Sequence, residues 1–375
     1  MIHSFTTKIK AILFKHFQQD AEQIYSNSEL LKYINLKTKS ASKGAKARGS
    51  FGNLYAIYVL VEDYINGNFH KKKNYSKYEG AKYSDLLKRQ RELPFGSKLQ
   101  NHALNQRMNQ EFKKYFPTCN YIPIIRVVET KRYWINSHLI KLNANGKTFN
   151  IAKAIIEIID EYANTKKNAF ETFIKTCEQL KIIEKQKTTK IKEFVLSLLE
   201  PNVDARIFEI VSYAILKYNY QNQIIYWGFA KNPDEFGKVE TFFRENLELY
   251  KTGRTNANDG GIDFVLKPLG RFFQVTETTD VKKYFLDIDK LKKFPITFVV
   301  KSTESKAHLK AKIKQGAIEQ YAVDKVVERY MACIEEIINI DELKAALKKI
   351  EKEGNLAYVL SEIIIQSKVE FNYNE

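Results

Sequence analysis

The sequence predicts an α+β (α/β) protein, with a mixed central sheet flanked by helices in its second half and a large, mostly helical, basic region ahead of it. Three observations carry that expectation. Residues 204–301 alternate between the helical and the strand pattern in the order helix, strand, hairpin, helix, strand. Residues 252–277 hold two short apolar runs about Lys267-Pro268-Leu269-Gly270, the pattern of a β-hairpin. Residues 1–115 carry helical apolar stripes and hold 21 Lys and Arg against 9 Asp and Glu, most of the net charge of +17. The expected division is 1–185, a DNA-recognition region, and 186–375, a catalytic domain with C-terminal helices.

In chain order, residues 4–19 and 20–34 read as two helices, with Ile9, Ile12, Leu13 and Phe17 on one stripe. Residues 36–50 place Lys37, Lys39, Lys43, Lys46 and Arg48 among Ser, Ala and Gly, a loop by composition. Small residues there let a backbone approach phosphates; a plain surface loop is the alternative. Phe51–Ile65 reads as a buried helix. A second basic zone follows, with Lys71, Lys72 and Lys73 beside Tyr75, then Arg89 and Arg91 ending a short helix. Arg and Gln are residue types that contact guanine and adenine edges in pairs of hydrogen bonds. Residues 98–115 set Asn101, Asn105, Arg107, Asn109 and several Gln on a helical pattern, a base-reading candidate against a polar surface helix. Residues 121–128 are strand-like, and 134–151 reads as a hairpin through Asn143-Ala144-Asn145-Gly146. Residues 152–183 form an amphipathic helix, and 185–192 is a Lys/Thr-rich break.

The second half begins with a helix over 204–219, capped by Asp204. A strand over 223–229 follows, then a helix from Pro233 to about Leu247. After the 252–277 hairpin come a helix over 280–292, the buried strand Pro295–Lys301, and a helical segment over 303–368.

The hairpin concentrates the chemistry. Simple antiparallel pairing about Pro268 and Leu269 sets Asp263 opposite Gln274, and directly opposed residues share one sheet face. A carboxylate and a carboxamide then converge at a hairpin edge. Mg²⁺ takes such oxygen sets, using one or two carboxylates with waters and substrate phosphate. The alternative is an Asp that caps a turn. Alternation turns Glu277 to the opposite face unless a bulge intervenes.

The stretch GGID, a turn, and an apolar strand carrying Gln-x-Thr resembles the core of the PD-(D/E)XK nucleases, a superfamily that includes many type II restriction endonucleases. The resemblance covers roughly residues 204–301. It implies a restriction-endonuclease-like core and Mg²⁺-dependent cleavage of double-stranded DNA at a short specific sequence. By that pattern Asp263 and Gln274 are the metal and catalytic positions. Thr276 stands where the family carries Lys, and Lys282 and Lys283 follow just downstream. Glu277 is the second candidate for the acidic position. A supporting Glu from a preceding helix is either Glu209 or Glu240, with the helix–strand context favouring Glu209. The resemblance also implies a homodimer and a DNA methyltransferase in the same system. The rival readings are a nuclease-fold nucleic-acid-binding protein impaired by Thr276 and a structure-directed nuclease.

Hydrophobic content of 44% and aromatic content of 13% mark a globular chain. No run approaches the ~20 apolar residues of a membrane span. Cys119, Cys177 and Cys333 are too few and scattered for a disulfide framework or a zinc site. With no signal-peptide layout in the opening segment, the expectation is a cytoplasmic protein with reduced thiols.

Overall fold

The computed structural model describes residues 2–39, 47–71, 74–97, 99–182, 188–221, 223–228, 243–253, 262–277 and 281–371. The chain is mixed α and β and divides into two compact units, Met1–Phe173 and Ile174–Glu375. Among the described residues no helix is long and apolar enough to cross a membrane.

The first unit comprises α1 (Ser4–Phe17), α2 (Ala21–Asn27), α3 (Glu29–Thr38), α4 (Ala47–Asn66), β1 (Ala81–Lys82), α5 (Tyr83–Glu92), α6 (Met108–Tyr115), β2 (Ile124–Val127), β3 (Arg132–Ile135), β4 (Lys141–Ala144) and β5 (Lys147–Asn150). Helix α7 (Ala152–Ile182) follows, and the division falls within it. Helix α4 is apolar all round its middle, from Phe51 through Val61, and is accordingly buried. Strands β1, β3 and β2 form a small antiparallel sheet, and β4 and β5 pair across Asn145-Gly146. The basic loop expected over 36–50 is a correction: 36–38 complete α3 and 47–50 begin α4. Composition marked the segment as irregular, but Lys37 gains a partner distant in sequence, Glu111, which anchors the end of α3.

The second unit holds α8 (Thr188–Ser197), α9 (Ala205–Gln221), β6 (Ile224–Trp227), β7 (Phe243–Asn246), β8 (Glu248–Lys251), β9 (Phe264–Lys267), β10 (Arg271–Thr276), α10 (Val281–Lys290), β11 (Ile296–Val300), α11 (Lys306–Tyr321), α12 (Asp324–Ala332), β12 (Ile334–Ile338), α13 (Ile340–Lys352) and α14 (Leu356–Phe371). Five strands make one mixed sheet in the order β12-β11-β10-β9-β8. Strands β8, β9 and β10 are an antiparallel meander, while β11 is parallel to β10 and β12 to β11. The parallel steps need crossovers, which α10 and then α11 with α12 provide. All five residues of β11 are buried, as expected of a strand covered on both faces.

Ring contacts identify the covers. Tyr213 and Tyr220 of α9 meet Phe264 and Phe273 at 5.2 and 6.0 Å between centroids. On the other face Tyr284 of α10 meets Phe298 at 4.7 Å. Burial pushes the Tyr213 phenol up to about 12, so it stays protonated and donates to the Leu249 carbonyl at 3.0 Å, tying α9 to β8.

Three expectations for this unit are corrected. Residues 243–246 lie in a strand, β7, which pairs with β6, where a helix was expected to run to Leu247. The C-terminal segment is not all helix, because Ile334–Ile338 extends the sheet edge. The expected break over 185–192 yields to α8 from residue 188.

Helix α9 begins at Asp204, whose Oδ1 accepts from Arg206 N at 2.7 Å and Ile207 N at 3.4 Å. Asp204→Ala is expected to lower unfolding stability by about 1 kcal/mol, read as a shifted urea midpoint, through loss of that cap. An unchanged midpoint would show that the cap does not contribute.

Candidate functional site

The β9–β10 turn fixes the register. Gly270 has φ +65°, a conformation that costs glycine little. The pairs that follow are Arg271 with Leu266, Phe272 with Val265 and Phe273 with Phe264. Continued ideally, this ladder sets Asp263 opposite Gln274, but it stops one residue short. The Asp263 N–H donates to the Phe273 carbonyl at 2.9 Å. The Asp263 carbonyl accepts from Thr252 N at 3.0 Å on the β8 side. The Val275 N–H then finds its acceptor in the Asp263 carboxylate, at 2.7 Å to Oδ2. The direct Asp263–Gln274 pairing expected from the sequence is therefore replaced by a side-chain-to-backbone link. The side chain thus takes the place of a ladder carbonyl at the strand end.

Gln274 pairs with Phe298 in the parallel register and so shares the α10 face. It is 8% exposed. Its Nε2 makes a 3.3 Å contact with the Val275 carbonyl, while its Oε1 has no partner among the described residues. Buried acceptors without partners are rare, and among the described residues of this unit Asp287 Oδ2 and Glu304 Oε2 share that condition. Thr276, two residues on, lies on the same face, and Lys283 of α10 donates to its hydroxyl at 3.4 Å.

Glu277 belongs to the other side. It is exposed, and its Oε1 receives Lys301 Nζ at 2.7 Å. The Lys301 side chain is buried, donates also to the Val203 carbonyl, and sits 5.8 Å from the ring centre of Phe208 on α9. Glu209 of α9 is ion-paired with Lys251 of β8 at 2.7 Å, and both side chains are buried. Glu240 lies outside the described residues. Sequence reasoning did not single out Lys251 and Lys301. The available signal was that each ends a strand at the edge where Asp263 enters and Glu277 leaves.

Among the described residues, no three His, Cys, Asp or Glu side chains cluster as a ready metal cage. The donor set at this edge is leaner: one carboxylate, Asp263, and the orphaned carbonyl of Gln274. That set fits a hard cation that keeps most of its waters and completes its shell with substrate oxygen.

In the first unit, the DNA-binding candidates divide. Lys43, Lys46, Lys72 and Lys73 lie outside the described residues, and Arg48 lies in α4. Lys71, Asn101 and Arg107 are exposed. Arg89 is engaged by Glu62 through Nε and Nη2, at 2.7 and 2.8 Å. Arg91 Nε donates to the Leu99 carbonyl at 3.1 Å. Part of the amide-rich segment is structural. Asn109 exchanges two hydrogen bonds with the Ile124 backbone, at 2.7 and 3.0 Å, and Asn105 accepts from the Tyr133 hydroxyl at 3.1 Å.

No protein-family model, curated protein or solved structure matches this chain.

Removing one partner of a buried ion pair strands the other. Glu209→Gln is expected to cost about 3 kcal/mol of stability, and Glu209→Gln with Lys251→Met to recover most of it. Calorimetry of the three chains reads this, and a double variant no more stable than the single one would contradict it.

Proposed function

We propose that residues 174–375 form an Mg²⁺-dependent nuclease of restriction type that cleaves double-stranded DNA, with the basic first unit contributing to recognition. One observation carries the proposal. The helix, three-strand meander, crossover helix and parallel strand bring Asp263 and the Gln274–Thr276 segment to one sheet edge, where the carboxylate is anchored and a buried acceptor is unsatisfied. The spacing of Asp263 and Gln274 and the run of meander, crossover helix and parallel strand support the PD-(D/E)XK reading, with β8 in the place expected for 223–229, whose strand pairs with β7 outside that sheet. The homodimer and the companion methyltransferase belong to the same proposal.

Asp263 and Gln274 would hold the cation, which supplies charge at the scissile phosphate and lowers the pKa of bound water. Val275 N–H holds the Asp263 carboxylate at Oδ2 and so fixes its place at the start of β9. The buried setting of Gln274 fixes its carbonyl without a second partner. Hydrolysis consumes one water: its oxygen bonds to phosphorus, one P–O ester bond breaks, and the proton ends on the departing sugar oxygen. Because Gln274 brings no charge, Asp263 is the sole anionic ligand proposed.

Asp263→Ala is expected to abolish Mg²⁺-dependent cleavage of duplex DNA while binding stays within about threefold, since phosphate contacts dominate affinity. Gln274→Glu should retain or raise the rate, because it restores a carboxylate. A purified chain that binds duplex DNA but never cuts it in Mg²⁺ or Mn²⁺, on a substrate containing all short sites, would replace this reading with that of a binding protein.

A further inference from the structure

The first unit has a cavity of about 590 Å³ bounded by α4, β1, α5 and β3. A space of that volume lies in the range of small-ligand sites. Val59 of α4 and Leu86 of α5, both buried, give it an apolar patch. Its polar lining carries both charges, with Glu62 and Asp63 from α4 and Lys82 and Arg132 from the strands.

The two cations are set by a tight approach of strands. Gly80 has φ +87°, and a Cβ on it would lie 2.7 Å from Trp134 Cε3 and 3.0 Å from Tyr133 N. Glycine therefore lets β1 close onto β3, which places Lys82 directly opposite Arg132. Opposed residues share one sheet face, and like charges there destabilise the pair. Arg132 Nη1 donates to the Gly80 carbonyl at 3.0 Å, which holds the guanidinium at that strand. An oxyanion between Lys82 and Arg132 turns their repulsion into two charge-assisted contacts. The carboxylates of α4 differ from each other. Glu62 is matched by Arg89. Asp63 accepts from the neutral Tyr78 hydroxyl. Burial pushes the Asp63 carboxyl up, with that hydroxyl opposing. A further N–H donor would favour its charged form.

We propose that this cavity binds a nucleotide, its phosphate held between Lys82 and Arg132 and the exocyclic amino group of its base donating to Asp63. The phosphate supplies the oxyanion, the amino group supplies the donor, and the flat base covers the Val59 and Leu86 patch. A free nucleotide and one swung out of a duplex present the same groups. The assignment goes beyond the nuclease reading and does not depend on it, since it involves no cleavage step.

The test uses the full-length chain, with dCMP, dTMP and inorganic phosphate titrated by calorimetry and the thermal midpoint measured on each variant. dCMP should bind, and dTMP, which lacks the amino group, should bind about tenfold more weakly, the loss of one hydrogen bond to a charged group. Asp63→Asn should erase that preference and leave dTMP binding within about threefold. Lys82→Glu, at an exposed position, should weaken both nucleotides by about tenfold, as repulsion replaces attraction. Its midpoint should hold or rise, because the like-charge pair with Arg132 is gone. A duplex carrying one 2-aminopurine separates the two sources. Its fluorescence rises on binding, and not with Asp63→Asn, if the base leaves the stack for the cavity; it stays quenched if the ligand is a free nucleotide. If dCMP binds no more tightly than dTMP or inorganic phosphate and the 2-aminopurine stays quenched, the assignment is wrong. A fluorescence rise that persists in Asp63→Asn, with no preference for dCMP, overturns it as well.

Discussion

The short link between the Asp263 carboxylate and the Val275 N–H constrains everything at this edge of the sheet. A buried strand amide must find an acceptor. Here the neighbouring strand offers a side chain instead of a carbonyl. The Asp263 backbone serves both neighbours, its N–H donating to the Phe273 carbonyl of β10 and its carbonyl accepting from Thr252 N beyond β8. Three strands are thereby joined through one residue, and its carboxylate is held at a fixed place. A functional carboxylate on a loop would lack that fixation. On this scaffold the fixation comes from the same hydrogen bond that completes the sheet.

Charge organises the rest. Strand β8 ends in Lys251 and Lys301 directly follows β11; each lysine is buried against the α9 face, Lys251 with the buried Glu209 and Lys301 with the exposed Glu277. Buried pairs of this kind contribute modest net stability, but breaking one is costly. They hold the ends of β8 and β11 to α9, while the α10 face is an apolar cluster of Tyr284, Phe285, Ile288, Phe298 and Val300. Gln274 and Thr276 look toward that second face because the parallel pairing with β11 sets their parity.

Much of this was legible in the sequence. The Pro268–Gly270 turn dictates a unique register between its flanking runs, and the strands pair in that register as far as Phe273 and Phe264. The departure at Asp263 was not legible, because it depends on Thr252, eleven residues away in sequence. Strand β12 was hidden for a different reason. Ile334, Ile337 and Ile338 recur at helical spacing, so periodicity alone cannot separate a short buried strand from a helix. Strand β7 was obscured by Phe242, Phe243 and Leu247, which mimic a helical face until β6 offers a partner. The roles of Arg89 and Asn109 were likewise invisible, since their partners Glu62 and Ile124 are set by the fold.

Binding of Mn²⁺, followed as paramagnetic broadening of backbone amide resonances in the isotopically labelled chain, most directly tests the claim that Asp263 and Gln274 form a cation site. The account predicts that the amides of Asp263 and Gln274–Thr276 broaden first, that Mg²⁺ reverses the effect, and that Asp263→Ala eliminates it. Broadening that spares these amides, or that persists unchanged in Asp263→Ala, would contradict it.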